Sequence, residues 1–293
     1  MMGLTNIKSR TARRMSNPLR FLPVAIVGLG LLAGCSSPNP NRIILMPVAG
    51  RMMVNALVPQ QNRQIFGLGI PETIGSAEQM WLVNHTEAEI VWDVDERKGR
   101  VSTAWAQEGN IRYALELTPA EEYVDLVMTI RNVSATTWHD VFAFNCVSPA
   151  KAPAFHDSTL LRTYMSVDGD ATPLADVPRT LGPRPTVAVY PTRSHAGRLP
   201  PFAEAFEAAS PVWSDDSWLV VVSEAGDAHM ATTAADASFL FANTAFGCIH
   251  AAPAFGDLAP HEEATVHTRV FFAKGGLGDF LERYETYRTR GPE

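Results

Sequence analysis

The chain has 293 residues, 46% hydrophobic and 19% charged, with a formal net charge of -7, the composition of a globular protein with a substantial core. Its first 34 residues carry five basic groups and no acidic one, so the remaining 259 residues carry -12. A body that acidic lacks the clustered Lys and Arg that phosphate neutralisation needs, which excludes nucleic acid as a partner, and anionic lipid repels it.

In chain order the first element is a leader. Lys8, Arg10, Arg13, Arg14 and Arg20 precede the apolar run Phe21 to Leu32, which meets Leu32-Ala33-Gly34-Cys35. That order is basic n-region, short h-region and small-residue cleavage site. The run is too short to cross a hydrocarbon core of ~30 Å, which takes about 20 residues. Arg13-Arg14 lacks the apolar residues that follow a twin-arginine pair, and Met15 is an alternative start, since residues 15–34 form a complete leader by themselves. Leu32-Ala33-Gly34-Cys35 also resembles the lipobox of bacterial lipoproteins. The resemblance implies that residues 1–34 are a signal peptide, and that Cys35 carries diacylglycerol on its sulfur and an acyl chain on its freed amine. The protein is then expected on a cell-envelope membrane, held by its lipid anchor. Ser36 stands where an aspartate favours inner-membrane retention in similar lipoproteins, which implies the periplasmic side of the outer membrane in a Gram-negative cell. Residues 35–41, the lipidated cysteine and a polar stretch with two prolines, read as a tether.

From residue 42 the apolar pattern has period two or is continuous between turn residues, the signature of strands. Tyr123 to Arg131 is the clearest, with Val124, Leu126, Met128 and Ile130 alternating with Asp125, Val127 and Thr129. Further strands are expected at 42–48, 89–94, 100–106, 111–117, 141–146, 187–190, 218–223, 238–241 and 265–273. Asp95-Glu96-Arg97-Lys98-Gly99 reads as a turn. Apart from a short piece at 202–209, helical period is confined to 279–288, where Phe280, Leu281, Tyr284 and Tyr287 share a face. The fold expected is all-β, one antiparallel β-sandwich over residues 42–293 with long connecting loops and a short C-terminal amphipathic helix. The long alternating strands and the strand-Gly-helix ending are similar to large β-sandwich modules of carbohydrate-active proteins.

Besides Cys35 the chain has Cys146 and Cys248. In an oxidising envelope they form a disulfide or remain two separate buried thiols, and the sequence leaves both open. Pro153-Ala154-Phe155-His156-Asp157 and Pro253-Ala254-Phe255-Gly256-Asp257 echo each other, each just after a cysteine. If the cysteines are neighbours, two similar loops would gather Asn145, His156, Asp157, Arg162, His250 and Asp257. His156, Asp157, His250 and Asp257 would then serve as acid and base, with Asn145 and Arg162 binding ligand. The plainer alternative has both aspartates capping turns, with Arg162 paired to one of them. His261, Glu262, Glu263 and His267 fit a solvated hairpin better than a metal site, and Asp168-Gly169-Asp170 fits a tight turn better than a calcium loop. Neither a metal nor a cofactor is assigned. Tryptophan offers stacking surfaces for sugar rings, although most tryptophans in sandwiches are buried.

The function expected is binding of a glycan or another envelope ligand. The alternatives are a carbohydrate-active hydrolase, lyase or epimerase using the His/Asp set, and a structural role in envelope assembly; the oligomeric state stays open. Cys35→Ser is expected to leave the protein unprocessed or shift it to the soluble fraction, read by detergent partition and by the mass of the N-terminus.

Overall fold

Two kinds of apolar pattern run through the body, and they become two kinds of strand. The computed structural model describes residues 39–290 except 82 and 84–89; the leader, Cys35 and residues 36–38 lie outside the described residues. In chain order the strands are β1 (Ile44–Pro47), β2 (Met53–Val58), β3 (Gln64–Gly75), β4 (Met80–Trp81), β5 (Trp92–Asp95), β6 (Arg100–Gln107), β7 (Ile111–Pro119), β8 (Tyr123–Asn132) and β9 (Trp138–Ser148). They continue as β10 (Thr163–Val167), β11 (Asp170–Pro173), β12 (Val187–Pro191), β13 (Trp218–Val222), β14 (Ala228–Ala234), β15 (Ala237–Asn243), β16 (Cys248–Leu258) and β17 (Glu263–Lys274). The helices are α1 (Pro201–Glu204) and α2 (Leu277–Arg290). None of the described helices is long and apolar enough to cross a membrane.

The first sheet runs β1-β2-β3-β9-β16-β15-β12 with β4 also on β3, and the second runs β11-β10-β13-β14-β17-β8-β7-β6-β5. Every pairing between these strands is antiparallel. The inner faces meet in one apolar core that includes Phe66, Met128, Ile130, Trp138, Val147 and Phe272. This is the antiparallel sandwich that the alternation requires.

β6, β7 and β8 alternate buried with exposed or half-exposed residues because their outer face is solvated. In β9, β12, β13, β15 and β16 the burial is nearly continuous, which a strand shows only where both faces are covered. On the first sheet the outer cover is the segment carrying Leu199, Phe202 and Phe206, which packs on Phe142, Phe144, Phe239 and Phe241. On the second sheet the cover is α2, whose Phe280, Tyr284 and Tyr287 are buried against Trp218 and Phe271. Burying side chains of that size contributes about 2 kcal/mol each.

The expected helix at 279–288 lengthens by two residues at each end. Asp279 Oδ2 accepts the Gly276 N–H at 2.9 Å and so satisfies a donor at the helix start. Arg269 fastens the middle. Its guanidinium meets Asp125 at 2.6 and 2.8 Å and sits 3.6 Å from the Tyr123 ring centroid and 4.9 Å from that of Tyr287. The 95–99 turn forms as read: Asp95 Oδ1 accepts the N–H groups of Arg97 and Lys98, and Gly99 takes φ +64°.

Other readings change. The expected set lacks β2, β3, β4, β10, β11, β14 and β16, because Gly67, Gly69, Gly75 and Pro71 interrupt β3 and the others are short or weakly alternating. Gly75 is needed for close approach: a Cβ there would lie 2.3 Å from the Phe142 ring. The two echoing pentapeptides take unlike structures. Pro153–Phe155 is a 3₁₀ turn, whereas residues 253–257 continue β16, with register shifts between Ala254, Gly256 and Leu258. At the outer edge of the second sheet, β5 is four residues long and presents Asp93 and Asp95.

Arg269→Ala is expected to lower unfolding free energy by about 3 kcal/mol, because it strands a half-buried carboxylate. Arg269→Lys should recover part of that loss, since lysine cannot repeat the two-point contact. Urea melts of the three proteins read the difference.

Candidate functional site

β9 and β16 are hydrogen-bonded neighbours with Ile249 opposite Val147. Side-chain alternation then puts Cys146, Cys248 and His250 together on the outer face of the first sheet. Their donor atoms lie within 4.8 Å of one another, with His250 Nε2 3.2 Å from Cys248 Sγ. All three are enclosed, at 8%, 6% and 1% exposure. The cysteines are neighbours, as free thiols; no disulfide joins them. The His250 ring stacks on Phe144 with centroids 4.2 Å apart and meets Phe241 edge-on at 4.9 Å. A hydrogen bond from the Cys146 thiol pushes Cys248 toward thiolate against the effect of burial, with help from the nearby imidazole. The same bond, with burial, pushes the Cys146 thiol well up.

The rest of the set gathered from sequence does not converge on this point. Asn145 precedes Cys146 and so faces the other way, into the sandwich, where its amide reaches Met128 Sδ at 3.4 Å. Asp257 lies seven residues beyond His250, a rise of roughly 23 Å along the strand. It pairs there with His139 Nδ1 at 3.1 Å and accepts the Asp140 N–H at 3.0 Å. The sequence reading assumed a loop after Cys248, and the continuation of β16 removes that loop. Arg162 donates to the carbonyls of Ala154, His156 and Val222, which ties its loop to β13.

Asp157 is a staple within the same loop. It accepts from Thr159 Oγ1, the Arg162 N–H and Thr163 Oγ1 at 2.8, 2.8 and 2.9 Å. Burial alone would raise its carboxyl, but these bonds and the Arg162 charge outweigh that and hold it below the usual range. Asp157 and Cys248 border a cavity of about 10 Å³, far too small for a sugar. His156 is exposed and lies against Gly247, where a Cβ would come within 2.9 Å of its ring.

A roomier cleft opens at the opposite end of the first sheet. Its walls are Ala77, Asp140, His195, Arg198, Leu199 to Pro201 and Ser238, around a cavity of about 110 Å³. His195 Nε2 stands 3.2 Å from Asp236 Oδ1, an ion-pair contact; the neighbouring His195 imidazole, with Ser194, holds the Asp236 carboxyl low against its burial. Asp257 belongs here indirectly, since it holds the backbone of Asp140. Trp213 does not line the cleft; it is 40% exposed and packs on Gly197, the neighbour of Arg198 in the chain, where a Cβ would lie 2.1 Å from its ring. Of the other tryptophans, Trp81, Trp105, Trp138 and Trp218 are buried. The sequence reading named none of His195, Arg198, Asp236 or Asp140. The signal that points to His195 and Arg198 is the proline-rich 150–211 segment, since long irregular segments in compact domains usually cover a site; Asp140 and Asp236 lie outside it.

The remaining sequence candidates are turns. Asp168, Gly169 and Asp170 link β10 to β11 with Gly169 at φ +86°. His261 sits at φ +66° between β16 and β17, where Glu262 Oε2 accepts the Ala259 N–H at 2.8 Å.

Neither a protein-family model nor a curated protein matches the chain. Among solved structures it is similar to a galactose mutarotase related enzyme from Lactobacillus acidophilus, at 8% identity and TM-score 0.44 over 80% of this chain and 98% of that one. It is also similar to a galactose mutarotase-like protein from Lactobacillus casei, at 10% identity and TM-score 0.45 over 78% and 99%. An α-N-acetylgalactosaminidase from Bifidobacterium bifidum aligns at 9% identity and TM-score 0.49 over 84% of this chain and 38% of its own. Likeness at this level concerns the arrangement of strands and carries nothing about activity.

Asp157→Ala is expected to cost about 2 kcal/mol, the scale of charge-assisted hydrogen bonds lost from a closed loop. Because the folded carboxyl titrates below its unfolded value near 4, its contribution is present above about pH 4 and fades as pH falls through the folded value. The difference between wild type and Asp157→Ala in urea midpoint should therefore shrink on acidification.

Proposed function

We propose that the protein is a lipid-anchored component of a bacterial cell envelope whose sandwich binds a saccharide in the cleft beside Trp213. The observation that carries this reading is the exposed indole on Gly197 next to Arg198, His195 with Asp236, Asp140 and Ser238. Sugars present an apolar C–H face and a rim of hydroxyls. An indole suits the face, while a guanidinium, a carboxylate and a hydroxyl suit the rim. The enclosed space, about 110 Å³, is smaller than the roughly 300–1,000 Å³ of pockets that engulf a ligand, so one edge of a sugar ring would enter and the rest would lie at the open mouth. Lipid attachment rests on the lipobox resemblance and supplies the address, since the acidic body offers no lipid-binding surface of its own.

The His195–Asp236 pair favours a second reading, acid–base chemistry on the bound sugar. An imidazole held by a carboxylate at the wall of a cleft is placed to exchange a proton with a ring or anomeric oxygen.

The test is a glycan array followed by titration calorimetry on the full chain in detergent. Trp213→Ala and Arg198→Ala are each expected to weaken binding about tenfold, ~1.4 kcal/mol, while Glu108→Ala, in the exposed turn between β6 and β7, leaves it unchanged. Absence of glycan binding, or affinity indifferent to both cleft substitutions, would overturn the reading. Anomer exchange of a bound sugar, followed by NMR and lost in His195→Gln with binding intact, would select the enzyme.

A further inference from the structure

The geometry points to a zinc-type metal site on the outer face of the first sheet, with Cys146, Cys248 and His250 as ligands. Two sulfurs and an imidazole nitrogen within 4.8 Å of one another are a donor set for a soft or borderline cation and a poor one for calcium or magnesium. Tetrahedral zinc, with bonds of about 2.3 Å to sulfur and about 2.0 Å to nitrogen, would separate its donors by about 3.6–3.8 Å. To reach that, the cluster contracts by up to roughly 1 Å at its widest separation, and the 3.2 Å between His250 Nε2 and Cys248 Sγ opens by a few tenths of an ångström.

Three independent features agree. His250 is 1% exposed, with Nε2 against the Cys248 sulfur and Nδ1 without a hydrogen-bond partner. Such an enclosed polar side chain is costly without a compensating bond. The phenylalanine surroundings exclude water, and two thiolates cancel the charge of a divalent cation, so the loaded site buries no net charge. Glu72 borders the cluster without joining the three donors. Its side chain folds over Gly69, where a Cβ would lie 3.2 Å from Glu72 Cγ and 3.5 Å from Cys146 Cβ, and its carboxylate faces the Cys146 thiol. A side chain at residue 69 would close that approach.

Loading is an exchange of protons for metal with no redox change. Zn²⁺ bonds to both sulfurs and to one imidazole nitrogen, and the thiol protons pass to buffer. A disulfide would remove the same two electron pairs from use, so metal and disulfide exclude each other. The site is separate from the saccharide cleft, which contributes no donor to it, and either proposal can fail alone.

The experiment is metal loading of the reduced full chain in detergent under anaerobic conditions. After removal of excess zinc, elemental analysis is expected to give about one zinc per chain, falling below a tenth of that in Cys248→Ser and in His250→Gln. Cobalt supplied instead of zinc should give the near-ultraviolet thiolate charge-transfer band and the intense visible bands of tetrahedral coordination, a readout on wild type that holds if the variants fold poorly. Substoichiometric zinc in reduced wild type would overturn the proposal, as would cobalt bound without the thiolate band. So would protein purified without reductant and isolated metal-free with a mass two hydrogens below the reduced form.

Discussion

The pairing of β9 with β16 sets where everything polar on the first sheet can stand. The two strands lie side by side at the centre of that sheet, and alternation decides which residues face the core and which face outward. Cys146, Cys248 and His250 fall at one end of the pair, and Asp140 and Asp257 at the other. Between them stand Phe142 and Phe144. An apolar outer face of that size cannot remain wet, so the sheet requires a cover, and the proline-rich segment around Leu199, Phe202 and Phe206 is the cover. Its polar residues then become the wall of a cleft as a consequence of covering the phenylalanines.

Legibility in the sequence followed the solvent. Where one face of a strand is wet, as in β6 to β8, alternation is visible and the strands stand close to where the pattern puts them. Where both faces are dry, the pattern is continuous, and small residues blur it further. β16 was lost for this reason: Ala251, Ala252, Pro253 and Ala254 carry no alternation, and a proline and a glycine imitate a loop. Reading a loop there places Asp257 at the wrong end of the sheet and joins it to His156, Asp157 and Arg162, which hold one another in a separate loop. The nearness of Cys146 and Cys248 needed no loop, because adjacent strands supplied it.

Arg198, His195 and Asp236 were illegible for another reason. They come from two separate segments, 193–201 and the turn before β15, and neither shows a spacing that refers to the other. Only the length and proline content of the first segment hinted at a purpose. Trp213 illustrates the same limit, since its exposure depends on Gly197, a residue sixteen positions away that lets the indole settle against the backbone.

The short acidic edge described for β5 has a consequence for molecules held at high density. A sheet edge offers unpaired backbone groups to any neighbour, and proteins confined to a surface meet edge to edge far more often than in dilute solution. Four residues give an incoming strand few partners, and Asp93 and Asp95 add repulsion between identical edges. The second sheet therefore offers a neighbour few backbone partners along that border, even though Val91 and Val94 are exposed there.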